Sequence, residues 1–286
     1  MKIVAPAKIN LYLWVGQRRP DGMHEIESVM QSVSLFDELT LSSGPAVSLD
    51  VSPSGAAPED ESNLVVAAVR ALLAARPTPL GAAMHLSKRI PSGAGLGGGS
   101  ADAAAALVGL NGLWESGLSK KALEKIGAGV GADVPFCVRG GTAGALGVGE
   151  RLSPLIVREP LWWVIAKPQG SLSTAEVYKR FDELGGSPSE TDAHDLADAL
   201  ARGDVDRIGA SLRNDLFDAA ISLDASVGTT RDALLSAGAL GVVMTGSGTA
   251  SCGLARDQVH AKEVAARVPG AFVVTSLDRG AKIVER

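Results

Sequence analysis

Cysteine, aromatic side chains and long apolar runs are all scarce in this chain. Only two cysteines occur in 286 residues, Cys137 and Cys252. Both sit in apolar, strand-like surroundings, so each reads as a small buried hydrophobe in a reducing compartment. No cluster of histidine and cysteine has the spacing of a metal site. Aromatics make up 4% of the sequence against 46% for all hydrophobic residues. A sizeable core therefore has to be built from Ala, Val, Leu and Ile. No apolar stretch reaches the roughly 20 residues that a spanning helix needs. Lys8 and Asn10 interrupt the N-terminal apolar run where a signal peptide would be continuous. These absences lead to the expectation of a soluble, cytoplasmic protein with no membrane partner, a monomer or a homodimer. Basic residues are outnumbered too, 27 against 32 acidic, for a net charge of −5. That balance argues against a general nucleic-acid binder.

Glycine, by contrast, is concentrated. Pro91-Ser92-Gly93-Ala94-Gly95-Leu96-Gly97-Gly98-Gly99-Ser100-Ala101 carries five glycines in seven positions. A strand-like run, 82–90, leads in, and an alanine-rich helical run, 101–113, leads out. Such a loop aims several N–H groups at one spot, where the helix dipole also favours negative charge. Phosphate is the natural occupant. A Walker A loop is excluded because no lysine follows the last glycine. Gly93-x-Gly95-x-x-Gly98 formally fits a dinucleotide fingerprint, which would make the chain a nicotinamide-dependent oxidoreductase. That reading needs a parallel sheet and an acidic residue ending a second strand. The region expected to supply them, 116–121, is a turn and a new helix start. Protein-kinase signatures are absent as well.

The spacing predicts a strand over 7–15, with Ala7, Ile9, Leu11, Leu13 and Val15 on one face and Lys8, Asn10, Tyr12 and Trp14 on the other. Lys8 then either faces solvent or stands at the rim of a pocket. A Pro-Asp-Gly turn precedes His24, which reads as a structural hydrogen-bonder or as a ligand contact. Strands follow over 26–41 and 46–51. Asn63 is placed to cap a helix over 64–75, and Ser119 one over 120–127. A second glycine cluster, 127–131, leads to Asp133, the one carboxylate in a small apolar loop. Asp133 either braces a turn or serves a hydroxyl-activating site. Short strands are expected at 136–138 and 142–146. Beyond 160 the order is strand, helix, loop (185–192), two short helices and a longer one, then strand, glycine turn (246–248), strand, helix, strand. With the inserted helices set aside this is a ferredoxin-like β-α-β-β-α-β split. The expected units are 1–155 and 156–286, with a ligand in the cleft between them.

Taken together these segments resemble the GHMP kinases, the superfamily of galactokinase, homoserine kinase and mevalonate kinase. The likeness rests on Pro6-Ala7-Lys8-Ile9-Asn10-Leu11, Arg19-Pro20-Asp21-Gly22-x-His24-Glu25, Pro91 to Ala104, Gly131-Ala132-Asp133-Val134-Pro135-Phe136 and Thr245-Gly246-Ser247-Gly248. It is strongest for the branch acting on a cytidine-diphosphate-linked methylerythritol. The resemblance implies an α+β, two-domain GHMP kinase fold. Its N-terminal ATP-binding domain would be ribosomal-protein-S5-domain-2-like, its C-terminal domain ferredoxin-like. It implies ATP-dependent phosphorylation of the 2-hydroxyl of that small molecule, in the non-mevalonate isoprenoid pathway, with ATP and Mg²⁺ as cofactors. Pro91 through Ala101 would hold the ATP phosphates, and Ser100 would help to place Mg²⁺ or a phosphate oxygen. Asp133 would accept the hydroxyl proton beside Lys8, which stabilises the charge. Asn10 and His24 would bind the acceptor, His24 near the cytosine, with Tyr178 on an aromatic face and Thr174 in contact. Asn63 and Lys88 would reach the adenosine half; for Asn63 the helix cap is the other reading. One position departs from the pattern: Met23 stands where the family as a rule has a tyrosine stacked on cytosine.

Overall fold

A computed structural model of the chain describes residues 1–78, 80–186 and 192–285. Its framework is a pair of long antiparallel strands, β1 (Lys2–Arg18) and β2 (His24–Gly44). Neither face of β1 is solvated: every residue from 5 to 13 is buried. The register shifts between Asn10 and Tyr12, so the expected uninterrupted alternation is corrected there. A bulge adds one residue and reverses which face the following side chains take. Ala7, Ile9 and Leu11 stay in the main core, whereas Leu13 and Val15 pack in a second cluster with Val177 and Phe181.

There follow β3 (Val47–Ser52), α1 (Leu64–Ala75), β4 (Gly81–Ser87), α2 (Gly98–Leu113), α3 (Lys120–Ala128), α4 (Val134–Arg139), β5 (Thr142–Gly147) and β6 (Arg151–Pro154). β2 changes partner along its length, pairing with β5 through Ile26–Gln31 and with β4 through Glu38–Gly44. β3 lies parallel to β4, and β6 antiparallel to β5. The strand that feeds the glycine loop is thus antiparallel to β2, which removes the dinucleotide-binding alternative. α2 lies against this sheet. Ala101 and Ala103 to Ala106 are wholly buried. At Gly109 an added Cβ would fall 2.5 Å from Leu41 Cδ1 and 2.7 Å from Ile3 Cδ1. Small side chains let the helix approach the strands closely, which is how a chain poor in aromatics fills its centre.

Two further expectations are corrected in this half. Residues 136–138 belong to α4, not to a strand. Pro135 sits in the first turn of that helix, where a missing N–H costs nothing, and the β-favouring residues around it are overridden by burial. α2 begins at Gly98, three residues before the expected start, so Ser100 lies within its first turn.

The second half runs β7 (Trp162–Ala166), α5 (Thr174–Glu183), α6 (His194–Arg202), α7 (Val205–Ala210), β8 (Arg213–Asn214), α8 (Phe217–Leu223), α9 (Ser226–Ser236), β9 (Gly241–Met244), β10 (Ser251–Ala255), α10 (Gln258–Arg267), β11 (Phe272–Leu277) and β12 (Lys282–Glu285). The sheet order β11-β7-β10-β9, antiparallel throughout, is the expected split. Helices α5 to α8 form the insertion. The longer helix expected before Gly238 is α9; the additional short α8 is set off from it at Asp224, whose carboxylate accepts from the Ser226 N–H at 2.9 Å. The loop expected over 185–192 lies partly, at 187–191, outside the described residues. β11 reaches β2 through Ser276 and Leu277, joining the sheets of the two halves. β12 returns to pair with β1. Cys137 and Cys252 are buried and unpaired. Among the described residues no helix is long and apolar enough to cross a membrane.

Candidate active site

The glycine loop leaves β4 and turns into α2 with its main chain pressed against two other segments. Ala94 and Leu96 are buried and point inward. The Ala94 carbonyl accepts from the Ala250 N–H at 3.2 Å, and the Leu96 carbonyl from the Lys8 N–H at 2.9 Å. Gly95 has φ +79, and a Cβ there would lie 1.9 Å from the Thr245 carbonyl oxygen. Gly97, at φ +70, ends the loop as the N-cap of α2 and offers no side-chain cap. A Cβ on Gly97 would meet Lys8 Cγ at 2.8 Å. The first-turn N–H groups of Gly98, Gly99 and Ser100 therefore lack intrahelical partners. They converge with the positive end of a 16-residue helix, an arrangement suited to an anion.

Lys8 and Asp133 meet beside this cradle. β1 presents Lys8 and the turn before α4 presents Asp133, with Nζ and Oδ2 3.2 Å apart. The Lys8 side chain is 5% exposed and that of Asp133 33%. Lys8 Nζ also donates to Asn10 Oδ1 at 2.7 Å. Asn10 is held in turn: its Nδ2 donates to Ser28 Oγ at 2.8 Å, and its main-chain N–H to Thr245 Oγ1 at 3.1 Å. Thr245 Oγ1 donates to the Gly95 carbonyl at 3.1 Å. One network thus ties the ammonium to the glycine loop. Asp133 makes no side-chain cap for α4, so its carboxylate is not spent on bracing the turn. Lys8 is a buried ammonium in a cleft wall, not a solvated side chain.

A cavity of about 1010 Å³ opens from this pair between the two halves. Its far wall holds His24, Tyr178, Thr174 and Met23. The rings of His24 and Tyr178 lie 5.0 Å apart at 36°, and Phe181 meets His24 edge-on at 6.2 Å. Burial pushes the Tyr178 hydroxyl up to about 12, with the Asp133 charge adding to the rise, so it remains a donor at neutral pH. Thr174 Oγ1 lies 2.8 Å from Ser247 Oγ, joining α5 to the third glycine turn. Met23 is half exposed at the rim. A second cavity, about 600 Å³, lies across the glycine loop and is bordered by Ala56, Asn63, Lys88, Pro91, Ser92 and Asp102. Gly93, Gly95 and Gly97 to Gly99 line both, so the loop is the wall between two chambers.

Behind the loop Lys88 is clamped between two buried carboxylates. It bonds Asp37, and it reaches Asp102 Oδ2 at 2.6 Å. Asp37 Oδ1 also accepts the N–H groups of Arg89, at 2.5 Å, and Ile90, at 2.8 Å. Burial pushes the Asp102 carboxyl up to about 8; Lys88 opposes the rise and Asp37 adds to it. One cation cannot match two carboxylates, so the second is best kept protonated. Asn63 caps α1 through Val65 N–H at 2.9 Å and bonds the Pro58 carbonyl at 2.5 Å.

Among the described residues no group of three His, Cys, Asp or Glu could hold a metal. Ser100 Oγ and the Asp133 carboxylate are the hard oxygen donors beside the cradle. That sparse set suits a magnesium ion carried mainly by phosphate oxygens and water. The structure brings together Lys8, Asn10, His24, the glycine loop, Ser100, Asp133, Thr174 and Tyr178 around one cleft. Sequence reasoning missed Asp182, Asp37 and Ser28, and it quoted Asp102 and Thr245 only within motifs. Tyr178, Phe181 and Asp182 do share helical spacing, the one signal that could have found Asp182.

Residues 63–141 match the family model for the GHMP kinases N terminal domain, and 196–274 that for GHMP kinases C terminal. The chain is 45% identical to 4-diphosphocytidyl-2-C-methyl-D-erythritol kinase of Pelotomaculum thermopropionicum, over 92% of this chain and 92% of that one. It is 42% identical to the protein of the same name from Salinispora tropica, over 94% and 87%. A crystal structure of 4-(cytidine 5'-diphospho)-2C-methyl-D-erythritol kinase superposes with a TM-score of 0.80 at 35% identity, covering 96% of this chain and 99% of that one. Homoserine kinase from Cytophaga hutchinsonii shares the fold, with a TM-score of 0.77 at 22% identity over 99% and 97%.

Proposed function

Since this chain belongs to the GHMP kinases, we infer that it is an ATP-dependent small-molecule kinase whose acceptor is 4-diphosphocytidyl-2-C-methyl-D-erythritol. Its products are the 2-phosphate of that acceptor and ADP, and its place is the non-mevalonate isoprenoid pathway. We take it to work in the cytoplasm, as a monomer or a homodimer.

The observation that carries the reading is the Lys8–Asp133 pair, 3.2 Å apart beside an open helix N-terminus. Phosphoryl transfer asks for positioning and charge stabilisation more than for covalent help. The loop from Pro91 to Ala101 orients the donor phosphates through main-chain N–H groups. Asn10 and Thr174 border the path of the acceptor, and His24 and Tyr178 receive its base. Asp133 orients the 2-hydroxyl and takes its proton as the new bond to the γ-phosphorus forms and the bond to the β,γ-bridging oxygen breaks. Lys8 offsets charge on the transferring group. Ser100 Oγ would help to hold a magnesium ion, which would supply neutralising charge when bound. Met23 lies against the base with a flexible thioether in place of a ring.

ADP release by the purified protein tests the assignment. The cytidylylated methylerythritol is expected to outperform free methylerythritol, mevalonate and homoserine. Preference for mevalonate or homoserine would overturn it.

A further inference from the structure

His24 has two ring nitrogens, and the fold has already committed one of them. Nε2 lies 2.8 Å from Asp182 Oδ1, although the two residues are 158 positions apart. His24 starts β2, whereas Asp182 lies in the last turn of α5. Tyr178 and Asp182 are one helical turn apart, so α5 turns a ring and a carboxylate to the same imidazole. Phe181 adds an edge contact. The His24 side chain is 5% exposed, so three residues of one helix fix its plane.

An ionised carboxylate only accepts hydrogen bonds. A neutral imidazole carries one proton, which must therefore sit on Nε2. Nδ1 is left as a bare acceptor, and it has no hydrogen-bond partner among the described residues. An acceptor at this point distinguishes the two common pyrimidines. Cytosine presents an amino donor at its 4-position, whereas a uracil presents a carbonyl oxygen there.

We propose that Asp182 is the positioning residue that makes the site select cytosine over uracil, by holding His24 in the tautomer whose free nitrogen accepts. The proposal rests on the acceptor reading given above. Asp182 acts through His24. The reverse tautomer would offer an N–H to the base and favour the uracil carbonyl. Where a site is built to hydrogen-bond a ligand group, losing the match leaves polar groups unpaired and costs affinity.

The test compares wild type with Asp182→Ala and Asp182→Asn. Binding of CDP and of UDP is measured by calorimetry, with a non-hydrolysable ATP analogue saturating the donor site. Wild type is expected to prefer CDP by roughly 10-fold to 100-fold, the range for one mismatched polar contact. Asp182→Ala should reduce that ratio about tenfold, with kcat at saturating acceptor changed less than about threefold. The ¹⁵N shifts of His24 should report protonated Nε2 in wild type and mixed tautomers in Asp182→Ala. Asp182→Asn can still accept through its amide oxygen, and should keep more of the preference than Asp182→Ala does.

An unchanged CDP-to-UDP ratio in Asp182→Ala, or no preference in wild type, would overturn the proposal. Wild-type ¹⁵N shifts showing the proton on Nδ1 would do the same. The acceptor reading fails separately, if CDP binds selectively and yet ADP release with the cytidylylated methylerythritol is absent.

Discussion

Lys8 and Asp133 come from opposite ends of the first half of the chain and form a charged pair in the wall of the main cavity. Lys8→Ala and Asp133→Asn are each expected to lower kcat by about 10²-fold to 10⁴-fold, as for loss of a positioned acid–base group. ATP affinity, carried by main-chain donors, should change less than about fivefold. Stopped-flow or steady-state turnover alongside nucleotide titration separates the two effects; near-normal turnover in Asp133→Asn removes it from the mechanism. Both residues were legible in the sequence because each sits in a short motif. Lys8 shares a strand face with Asn10, and Asp133 is a lone acid in a glycine-rich turn. Asp182 was missed. Its contact with His24 spans 158 positions, and the only local hint of it was helical spacing from Tyr178.

The glycine loop and α2 act as one element, and their stiffness has two sources. Gly95 and Gly248 pack main chain to main chain, so that a Cβ on Gly248 would lie 2.1 Å from the Gly95 nitrogen. Gly95→Ala is therefore expected to displace the loop, raising the KM for ATP at least tenfold while the fold survives, as circular dichroism and ATP-dependent turnover would report. The second source is the Lys88 clamp, which ties β2 to both ends of the loop. Lys88→Met leaves two adjacent buried carboxylates without a cation, and is expected to cost about 3–5 kcal/mol in chemical denaturation. The sign with pH follows from Asp102, which stands near 8 in the folded protein against 3.8 unfolded. A carboxyl that holds its proton more tightly when folded contributes stability at acid pH that is lost as pH rises toward its folded value. Lys88 opposes that rise, so the deficit in Lys88→Met should grow as pH increases through about 8 and shrink toward about pH 5. Legibility differed between elements as well. Alanine-rich α2 and the Asn63-capped α1 were read correctly in type. α4 was misread because Val134-Pro135-Phe136-Cys137-Val138 has strand propensity, and only its packing makes it a helix. β12 had no pattern to distinguish it from a tail; the unpaired edge of β1 recruits it.

At the scale of the molecule, the order of strands and helices after residue 160 was enough to anticipate the split β-α-β-β-α-β unit. What that order could not convey was continuity. β11 reaches β2, so the sheets of the two halves are joined through the strand that also begins with His24. The wall that carries His24 and the glycine loop are therefore anchored to one scaffold. The main cavity draws its lining from residues of both halves.

A wall one peptide thick, shared by both chambers, has a consequence for how the two substrates report on each other. Whatever free energy the first occupant spends or releases in settling Gly93 to Gly99 is no longer open to the second. Around a closed thermodynamic cycle the effect must be equal in both directions. If a bound ATP analogue tightens the acceptor by a factor of about five or more, the acceptor must tighten the analogue by that same factor. Calorimetric titrations run in both orders should return one coupling constant, and a loop stiffened or loosened by substitution should alter it without favouring either ligand.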